Sequence, residues 1–283
     1  MPTAQGRVLI IAGSDSGGGA GVQADIKTVT MLDAYAASAI TALTAQNTEG
    51  VFGVLPIPPD FIRRQIEVVL DDIGADAIKT GMLHDAAVIE TIAAVLQQRA
   101  QGVPLVVDPV MAAKGGARLI DPDAVEGLKR LLIPRADMLT PNLPEAEILC
   151  GTAIGNAAEM QAAGESLLAL GCRAVLVKGG HLSGETVPDV LVTAEGTRVW
   201  ESPRLATRHT HGTGCTLASA IAAGLAQGVG VEDAVDRARA YVQLAIASAP
   251  GLGRGHGPLD HAHPLHRDAV IVPSLPGEGR DPS

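Results

Sequence analysis

The chain has 283 residues, of which 47% are hydrophobic, so it can bury a large core as one domain or as two small ones. Its formal net charge of -10 argues against nucleic acid or an anionic membrane as the main partner, and 2% aromatic residues offer no stacking platform for single-stranded nucleic acid. No secretory signal precedes the first apolar segment and no apolar run is long enough to cross a bilayer, which predicts a cytoplasmic protein.

Short apolar segments alternate with longer amphipathic segments along the chain, which predicts parallel βαβ units. The first strand is "VLIIAG" (8–13), and the apolar spacing of "VQADIKTVTMLDAY" predicts a helix after it. A second helix is expected over 58–74, with prolines at its start and Gly74 at its end. The pattern then repeats in "AIKTG", "DAAVIETIAAVLQQRAQG", "PLVVDPV", "ADMLTPN", the Ala-rich helix around 157–170, and "AVLVKGG".

Polar or glycine-rich junctions follow five of these predicted strands. In a parallel sheet they lie at one edge, where ligands bind. Any single junction is as easily an ordinary turn, but together they favour a binding site. They are "GSDSGGGAG" (13–21), "KTGM" (79–82), "DPVM" (108–111), "TPNLPE" (140–145) and "KGGH" (178–181).

Two common phosphate motifs are absent. Lys27 and Thr28 lie well inside a predicted helix rather than after a P-loop, and "GGGAGV" lacks the third glycine of a dinucleotide fingerprint. Walker-type nucleotide hydrolysis and Rossmann oxidoreduction are therefore disfavoured.

The segment "THGTGC" predicts an anion site of another kind. Gly212 and Gly214 allow several N–H groups to converge, and a helix that begins near Cys215 adds its unpaired donors and the positive end of its dipole. The same donors are expected to lower the pKa of the Cys215 thiol, so that it could act as a base. The alternative is a small buried hydrophobe, which is the interpretation for Cys150 and Cys172, since no CxxC spacing indicates zinc or a disulfide framework.

From about residue 7 to residue 264, the chain resembles the hydroxymethylpyrimidine/phosphomethylpyrimidine kinases of thiamine biosynthesis, within the ribokinase-like superfamily. The resemblance implies a three-layer α/β/α sandwich with a mostly parallel central sheet, in one domain over 1–266. The segment 267–283 lies beyond the resemblance and is rich in proline, glycine and charge, which predicts a mobile tail. It rests on "GSDSGGGAGVQADIKT", "ITALTAQNTEGV", "IKTGML", "DPVMAAKGG", "LTPNLPEAE", "VKGGH", "THGTGCTLASAIAAGL" and "GRGHGPLDH".

The resemblance also implies the reaction. Family members transfer the γ-phosphoryl group of ATP to 4-amino-5-hydroxymethyl-2-methylpyrimidine and then to its monophosphate, in one site. Residues Gly212, Thr213, Gly214 and Cys215 are then expected to hold the moving phosphoryl group. Cys215 occupies the place of the aspartate base of many ribokinase-like kinases, so it deprotonates or orients the attacking hydroxyl.

By the same resemblance, four residues form the pyrimidine site: Gly13, Asp25, Gln46 and Met82. A glutamine can both donate to and accept from the ring edge. Without the resemblance, the sequence would indicate that Asp25 is a solvated helix residue, Gln46 an exposed turn residue and Met82 a side chain that fills space in the core.

For the nucleotide, the resemblance implies a phosphate contact from Lys178, and Mg²⁺ held by Asp108 and Glu145 directly or through water. Asn142 repeats an Asn-x-x-Glu pattern of the superfamily with Glu145. The two are equally consistent with a helix N-cap, and both interpretations can hold together.

Two features near the C-terminus are ambiguous. Arg254 stands where many relatives have lysine, so its phosphate contact is doubtful. The histidines at 256, 261, 263 and 266 suggest either a metal site or, as we prefer, a solvated C-terminal segment, because no ligand spacing accompanies them.

Segment 47–59 is expected to form a strand pair near the pyrimidine, and segment 111–119 a loop that covers the phosphates. The alternative for both is an ordinary surface loop. The family also implies a homodimer. Three other functions remain: a pyridoxal or pyridoxamine kinase, a sugar kinase, disfavoured because Cys215 replaces the aspartate base, and a pyrimidine-binding module without catalysis.

Overall fold

The computed structural model describes residues 6–112 and 120–266, and one eight-stranded sheet runs through it, in the strand order β10-β9-β8-β7-β6-β5-β1-β2. A separate pair, β3-β4, stands beside it. The strands are β1 Arg7–Ala12, β2 Tyr35–Ile40, β3 Ala42–Asn47, β4 Gly50–Pro56, β5 Ala77–Thr80, β6 Leu105–Val107, β7 Met138–Leu139, β8 Ala174–Lys178, β9 Thr186–Thr193 and β10 Gly196–Pro203.

In the main sheet, neighbouring strands from β2 through β1, β5, β6 and β7 to β8 pair in parallel, as the βαβ alternation predicts. At the far edge, β9 and β10 continue the sheet as an antiparallel pair of longer strands. A parallel neighbour needs a crossover segment, whereas only the tight turn between Thr193 and Gly196 joins these two strands.

Helices cover both faces of the sheet, so the predicted three-layer α/β/α sandwich is confirmed. Leu9 and Ile11 of β1 point into a core with α2 to α6, while Val8 and Ile10 point into a second core with α1, α7 and α8. The helices are α1 Gly21–Met31, α2 Pro59–Asp72, α3 Ala86–Arg99, α4 Pro122–Gly127, α5 Leu143–Cys150, α6 Ala157–Leu168, α7 Thr213–Ala226 and α8 Val231–Ala247.

The first helix is shorter than its apolar spacing predicts. It ends at Met31, because Asp33 takes a left-handed conformation with φ of 61° and turns the chain into β2. Tyr35, which the sequence pattern places in the helix, instead pairs with Arg7 at the start of the sheet.

The strand pair expected over 47–59 exists, but it begins earlier. β3 starts at Ala42 and pairs with β4 around a turn at Thr48 and Glu49, with an irregularity between Ala45 and Gln46. Residues 113–119, which include most of the expected phosphate-covering loop, and the tail 267–283 lie outside the described residues.

The histidine-rich segment near residue 260 packs against the protein, so its interpretation as solvated is wrong for two of its members. His261 is buried and contacts the Thr216 hydroxyl at 3.0 Å, and burial lowers the pKa of its imidazole to about 4. His263 is buried against the Tyr241 ring. Within residues 6–112 and 120–266, no group of three or more His, Cys, Asp or Glu side chains is arranged to hold a metal ion.

No helix within the described ranges is long and apolar enough to cross a bilayer.

Replacing Ile89 by alanine tests the larger core. Ile89 is completely buried on α3, so Ile89→Ala is expected to lower the free energy of unfolding by about 2–5 kcal/mol through lost burial and the cavity left behind. The matched control is Val68→Ala on the exposed side of α2, which should stay within about 0.5 kcal/mol of the parent in urea denaturation. Equal effects of the two substitutions would contradict this placement of the core.

Candidate functional site

A cleft of about 820 Å³ lies at the carboxyl ends of the parallel strands, the edge at which the sequence predicts a site. All five polar junctions contribute to its wall, with the first turn of α7 and residues that follow β10. Ligands of open α/β sheets bind at this edge because the loops that follow the strands converge there.

The helix predicted to begin near Cys215 is α7, which begins at Thr213 after Gly212. Gly212 has φ of 85° and lies so close to Gly19 that a Cβ there would collide with the Gly19 carbonyl. Both conditions require glycine. Because the first N–H groups of an α-helix have no partner within the helix, the start of α7 presents donors to the cleft, as an anion site requires.

The prediction of a low thiol pKa at Cys215 is wrong. Burial raises the pKa of this thiol to about 12; Lys79 opposes the rise, and the negative charges of Asp25 and Asp108 add to it. The helix terminus does not compensate for the loss of water around the sulfur. The thiol is therefore protonated at neutral pH.

Lys178 lies beside the first turn of α7, at the end of β8. Its ammonium binds the Asp108 carboxylate at 3.1 Å, and a Cβ added to Gly214 would lie 3.2 Å from the same nitrogen. Burial would lower the pKa of Lys178, but the charges of Asp108 and Glu145 outweigh it and raise that pKa above its ordinary value. The cleft thus holds a fixed positive charge next to the helix donors.

Asn142 and Glu145 form a reciprocal cap at the start of α5, as the helix-cap interpretation predicts. The Asn142 side chain accepts from the Glu145 N–H at 3.0 Å, and the Glu145 carboxylate accepts from the Asn142 N–H at 2.8 Å. Both residues also line the cleft. Burial raises the pKa of Glu145 to about 7, with Lys178 opposing and Asp108 reinforcing the shift.

Asp108, the other expected metal residue, is almost completely buried and lies behind the wall of the cleft. Its Oδ1 accepts from the Thr140 hydroxyl and from Lys178, both at 3.1 Å. Carboxylate oxygens are the protein ligands that Mg²⁺ prefers. Glu145 in the wall, with Asp108 behind it, therefore fits a Mg²⁺ ion bound mainly by phosphate oxygens and water.

At the other end of the cleft, Gly13, Gln46 and Met82 line one pocket together. A Cβ at Gly13 would collide with the Met82 methyl group, so the methionine packs directly on the backbone of the glycine-rich loop. Gln46 projects from β3 between Thr44 and His211. These three residues provide an apolar surface and one polar amide, suited to a small heteroaromatic ring.

Asp25, in contrast, does not lie in the wall of the pocket, and it is not the solvated helix residue of the alternative interpretation. It is completely buried on α1, where it binds the Lys79 ammonium at 2.9 and 3.0 Å and accepts from the Ser219 hydroxyl at 2.7 Å. The Asp25 carboxylate is thus paired with groups of the protein itself, Lys79 and Ser219. A direct contact between Asp25 and a ligand finds no support in this arrangement.

Arg254 also lies away from the expected phosphate position. Its side chain is 86% exposed and pairs with Glu49 at 2.9 Å, in the turn between β3 and β4. The neighbouring His256 does line the cleft, and its N–H donates to the Thr48 carbonyl at 2.8 Å. The segment around Arg254 therefore holds the β3-β4 pair against the site, while Arg254 itself does not line the cleft.

Sequence reasoning missed several charged or titratable residues of the wall, among them Asp15, Lys79 and His211. Asp15 and Lys79 stand in quoted junctions at the ends of strands, and His211 in the glycine-rich segment before α7, so these positions were the available signal. Asp15 and His211 are bonded at 2.8 Å across 196 positions of the chain, which local patterns do not report.

The site can now be compared with those of known proteins. The family model described as phosphomethylpyrimidine kinase matches residues 15–260. The chain is 52% identical over 260 residues to a bifunctional thiamine biosynthesis protein of Geobacter sulfurreducens, covering 92% of this chain and about half, 53%, of that relative. It is 46% identical to the hydroxymethylpyrimidine/phosphomethylpyrimidine kinase of Bacillus subtilis, covering 90% of this chain and 94% of the relative.

Among solved structures, the ADP complex of Bacillus subtilis pyridoxal kinase superimposes with a TM-score of 0.85 at 37% identity, over 92% of this chain and 98% of that one. This confirms the ribokinase-like fold. Because the family model spans most of the chain and the curated relatives are similar across nearly all of it, the chain belongs to the phosphomethylpyrimidine kinase family.

Proposed function

We propose that this protein phosphorylates 4-amino-5-hydroxymethyl-2-methylpyrimidine with ATP and then phosphorylates the monophosphate in the same site. One observation carries the proposal. A pocket for a small ring, made by Gly13, Gln46 and Met82, opens into the same cleft as Lys178 and the first turn of α7. Phosphoryl transfer requires mainly positioning and charge stabilisation, and this cleft combines both.

In the transfer, the substrate hydroxyl oxygen bonds to the γ-phosphorus and its proton passes to water or to a phosphoryl oxygen, while the bond from that phosphorus to the bridging oxygen of ATP breaks and ADP leaves. Lys178 and the N–H groups of Gly214 and Cys215 stabilise the charge on the moving phosphoryl group. Because the Cys215 thiol is protonated at neutral pH, it orients the hydroxyl as a hydrogen-bond partner instead of removing its proton in advance. Of the two roles considered for Cys215, we therefore propose the orienting one.

Glu145 and Asp108 would hold Mg²⁺, directly or through water, and the ion would neutralise negative charge on the phosphate oxygens. The Asn142 cap fixes the Glu145 side chain in the wall, so its carboxylate is oriented before the nucleotide arrives. Thr213 begins α7 and lines the cleft, which supports its proposed contact with the phosphates.

Pyridoxal is the second candidate substrate, because the chain superimposes on a pyridoxal kinase over 92% of its length. Pyridoxal is also a small ring with a hydroxymethyl group, but it lacks the amine next to a ring nitrogen that a glutamine side chain can pair with. We therefore rank pyridoxal below the pyrimidine as a substrate.

We further propose a cytoplasmic homodimer. The β3-β4 pair stands apart from the main sheet and exposes large apolar side chains, and Phe52 is 72% and Leu55 62% exposed. Large exposed apolar side chains commonly mark a protein interface, and a second copy of the same strand pair would cover those of one face.

The substrate assignment is tested by offering hydroxymethylpyrimidine, its monophosphate and pyridoxal in parallel with ATP and Mg²⁺, and identifying products by mass. Both pyrimidines should be phosphorylated, ending in the pyrophosphate, with kcat/KM for pyridoxal lower by at least about tenfold. Turnover of pyridoxal alone would contradict the proposal in favour of the second candidate. Binding of nucleotide and pyrimidine without any turnover would instead indicate a non-catalytic module.

The state of Cys215 is tested by alkylation. With its pKa near 12, the rate of iodoacetamide labelling should rise about tenfold for each pH unit up to at least pH 10, without a plateau near neutrality. Peptide mapping separates Cys215 from the other cysteines. Cys215→Ala should lower kcat while pyrimidine affinity is retained, and Cys215→Ser should keep more of the activity. A labelling plateau below about pH 8 would show a thiolate base instead.

The pKa of Glu145 makes Mg²⁺ binding depend on pH. Above about 7 the side chain is a carboxylate and binds the ion, and below about 7 it is protonated and does not. The apparent KM for Mg²⁺ should therefore rise as the pH falls from about 8 to about 6. Glu145→Gln should have a higher KM throughout and a shallower slope than the parent enzyme. Comparing the two proteins removes the titration of ATP itself, and equal slopes would contradict the role of Glu145.

A further inference from the structure

A buried pair, Asp15 and His211, joins the two ends of the cleft, and the proposed function gives it no role. Asp15 follows Gly13 of the ring pocket in the loop after β1, and His211 stands directly before Gly212 of the anion site. The Asp15 side chain is 2% exposed and that of His211 10%, and a carboxylate oxygen lies 2.8 Å from Nε2. One hydrogen bond therefore links the loop of the ring pocket to the loop of the anion site.

The Asp15 carboxylate also fixes the shape of its own loop. It accepts from the backbone N–H groups of Gly17, Gly19 and Ala20 at 2.8 to 3.0 Å. Burial would raise the pKa of Asp15, but the bond to His211 and the backbone donors outweigh it and hold that pKa below its ordinary value. An ionised carboxylate only accepts, so the hydrogen on His211 Nε2 is donated to Asp15.

The two loops already touch at their closest approach. Gly212 packs on the Gly19 carbonyl, and a Cβ at Gly212 would collide with it. The His211 ring packs on the other side of the same contact, where a Cβ at Gly19 would collide with the ring. Because no side chain separates the loops, they have no space in which to move closer together. Loss of the bond between Asp15 and His211 can therefore change the separation of the ring pocket and the anion site only toward a longer distance.

The two phosphorylation steps need different separations. In the first step, the acceptor is the hydroxymethyl oxygen, on the carbon attached to the ring. In the second step, the acceptor is an oxygen of the phosphate group, which stands two bonds farther from the ring. A ring held in one place therefore presents its two acceptors at two distances from the γ-phosphorus. Such a difference matters, because a misplacement of about 1 Å can cost on the order of a hundredfold in rate.

We propose that Asp15 and His211 are positioning residues that hold the ring pocket and the anion site at the short separation suited to the alcohol, and thereby set the ratio of the two steps. This inference rests on the proposed function and deepens it. A longer separation leaves the alcohol oxygen short of the γ-phosphorus, whereas the monophosphate reaches farther. In both steps the acceptor oxygen bonds to the γ-phosphorus, any proton it carries passes to water or to a phosphoryl oxygen, and ADP leaves.

The test measures initial rates with hydroxymethylpyrimidine and with its monophosphate separately, each with ATP and Mg²⁺, and identifies the products by mass. His211→Leu removes the donor of the bond between the loops. The ratio of kcat/KM for the monophosphate to kcat/KM for the alcohol should then rise at least about fivefold, because the alcohol loses its alignment and the longer acceptor does not.

Asp15→Asn tests the other partner and should raise the ratio as well. An amide has one accepting end, so its NH₂ group must face either Gly17 or the donors on the His211 side. His211→Gln retains an N–H group near the Nε2 position and should keep the ratio within about twofold of the parent. The matched control is His266→Leu, whose side chain is 66% exposed, and it should leave the ratio unchanged.

A ratio of two acceptors in one preparation does not depend on the fraction of folded protein, so a merely destabilised variant would keep the parent's ratio. An unchanged or lower ratio in either His211→Leu or Asp15→Asn would overturn the inference while leaving the kinase assignment intact. An equal rise in His211→Gln would also overturn it, since the hydrogen bond would then not set the ratio. No turnover of either acceptor by the parent protein would overturn the proposed function, and this inference with it.

Discussion

The buried ion pair between Lys79 and Asp25 is the contact on which the cleft depends. Lys79 comes from the middle of the sheet, Asp25 from α1, and Ser219 of α7 donates to the same carboxylate, so one charge pair joins three elements under the ligand site. Burial would lower the pKa of Lys79, but the surrounding negative charges outweigh it and raise that pKa. Removing either partner would leave an uncompensated buried charge, which costs about 3–5 kcal/mol in proteins.

Such a pair adds little stability compared with an apolar substitute, so its position is better explained by function. It places a charged layer beneath Cys215, and Asp108 with Lys178 forms a second layer beside it. Each ammonium group lies beside a carboxylate, and Lys178 in the wall of the cleft stands with the donors of α7 where an incoming anion can reach them. A chain with a net charge of -10 can in this way hold a phosphoryl group through local arrangement.

Close backbone contacts bring the two ends of the cleft together. Gly212 packs on the Gly19 carbonyl, so the two glycine-rich loops touch there without intervening side chains. The hydrogen bonds of Asp15 and His211 then hold this contact in one geometry. The ring pocket and the phosphate site are therefore parts of one rigid unit, which suits transfer between two bound substrates.

The sequence by itself determined the features that depend on neighbours along the chain. The strand and helix alternation follows from apolar periodicity, the α5 cap from Asn142 and Glu145 three positions apart, and the start of α7 from the glycines before Cys215. Only the tertiary structure decided the thiol pKa of Cys215, because desolvation by distant elements outweighs the helix terminus. It also decided that Asp25 pairs with Lys79 and that Arg254 pairs with Glu49, since each partner lies far away in sequence and no local pattern specifies it.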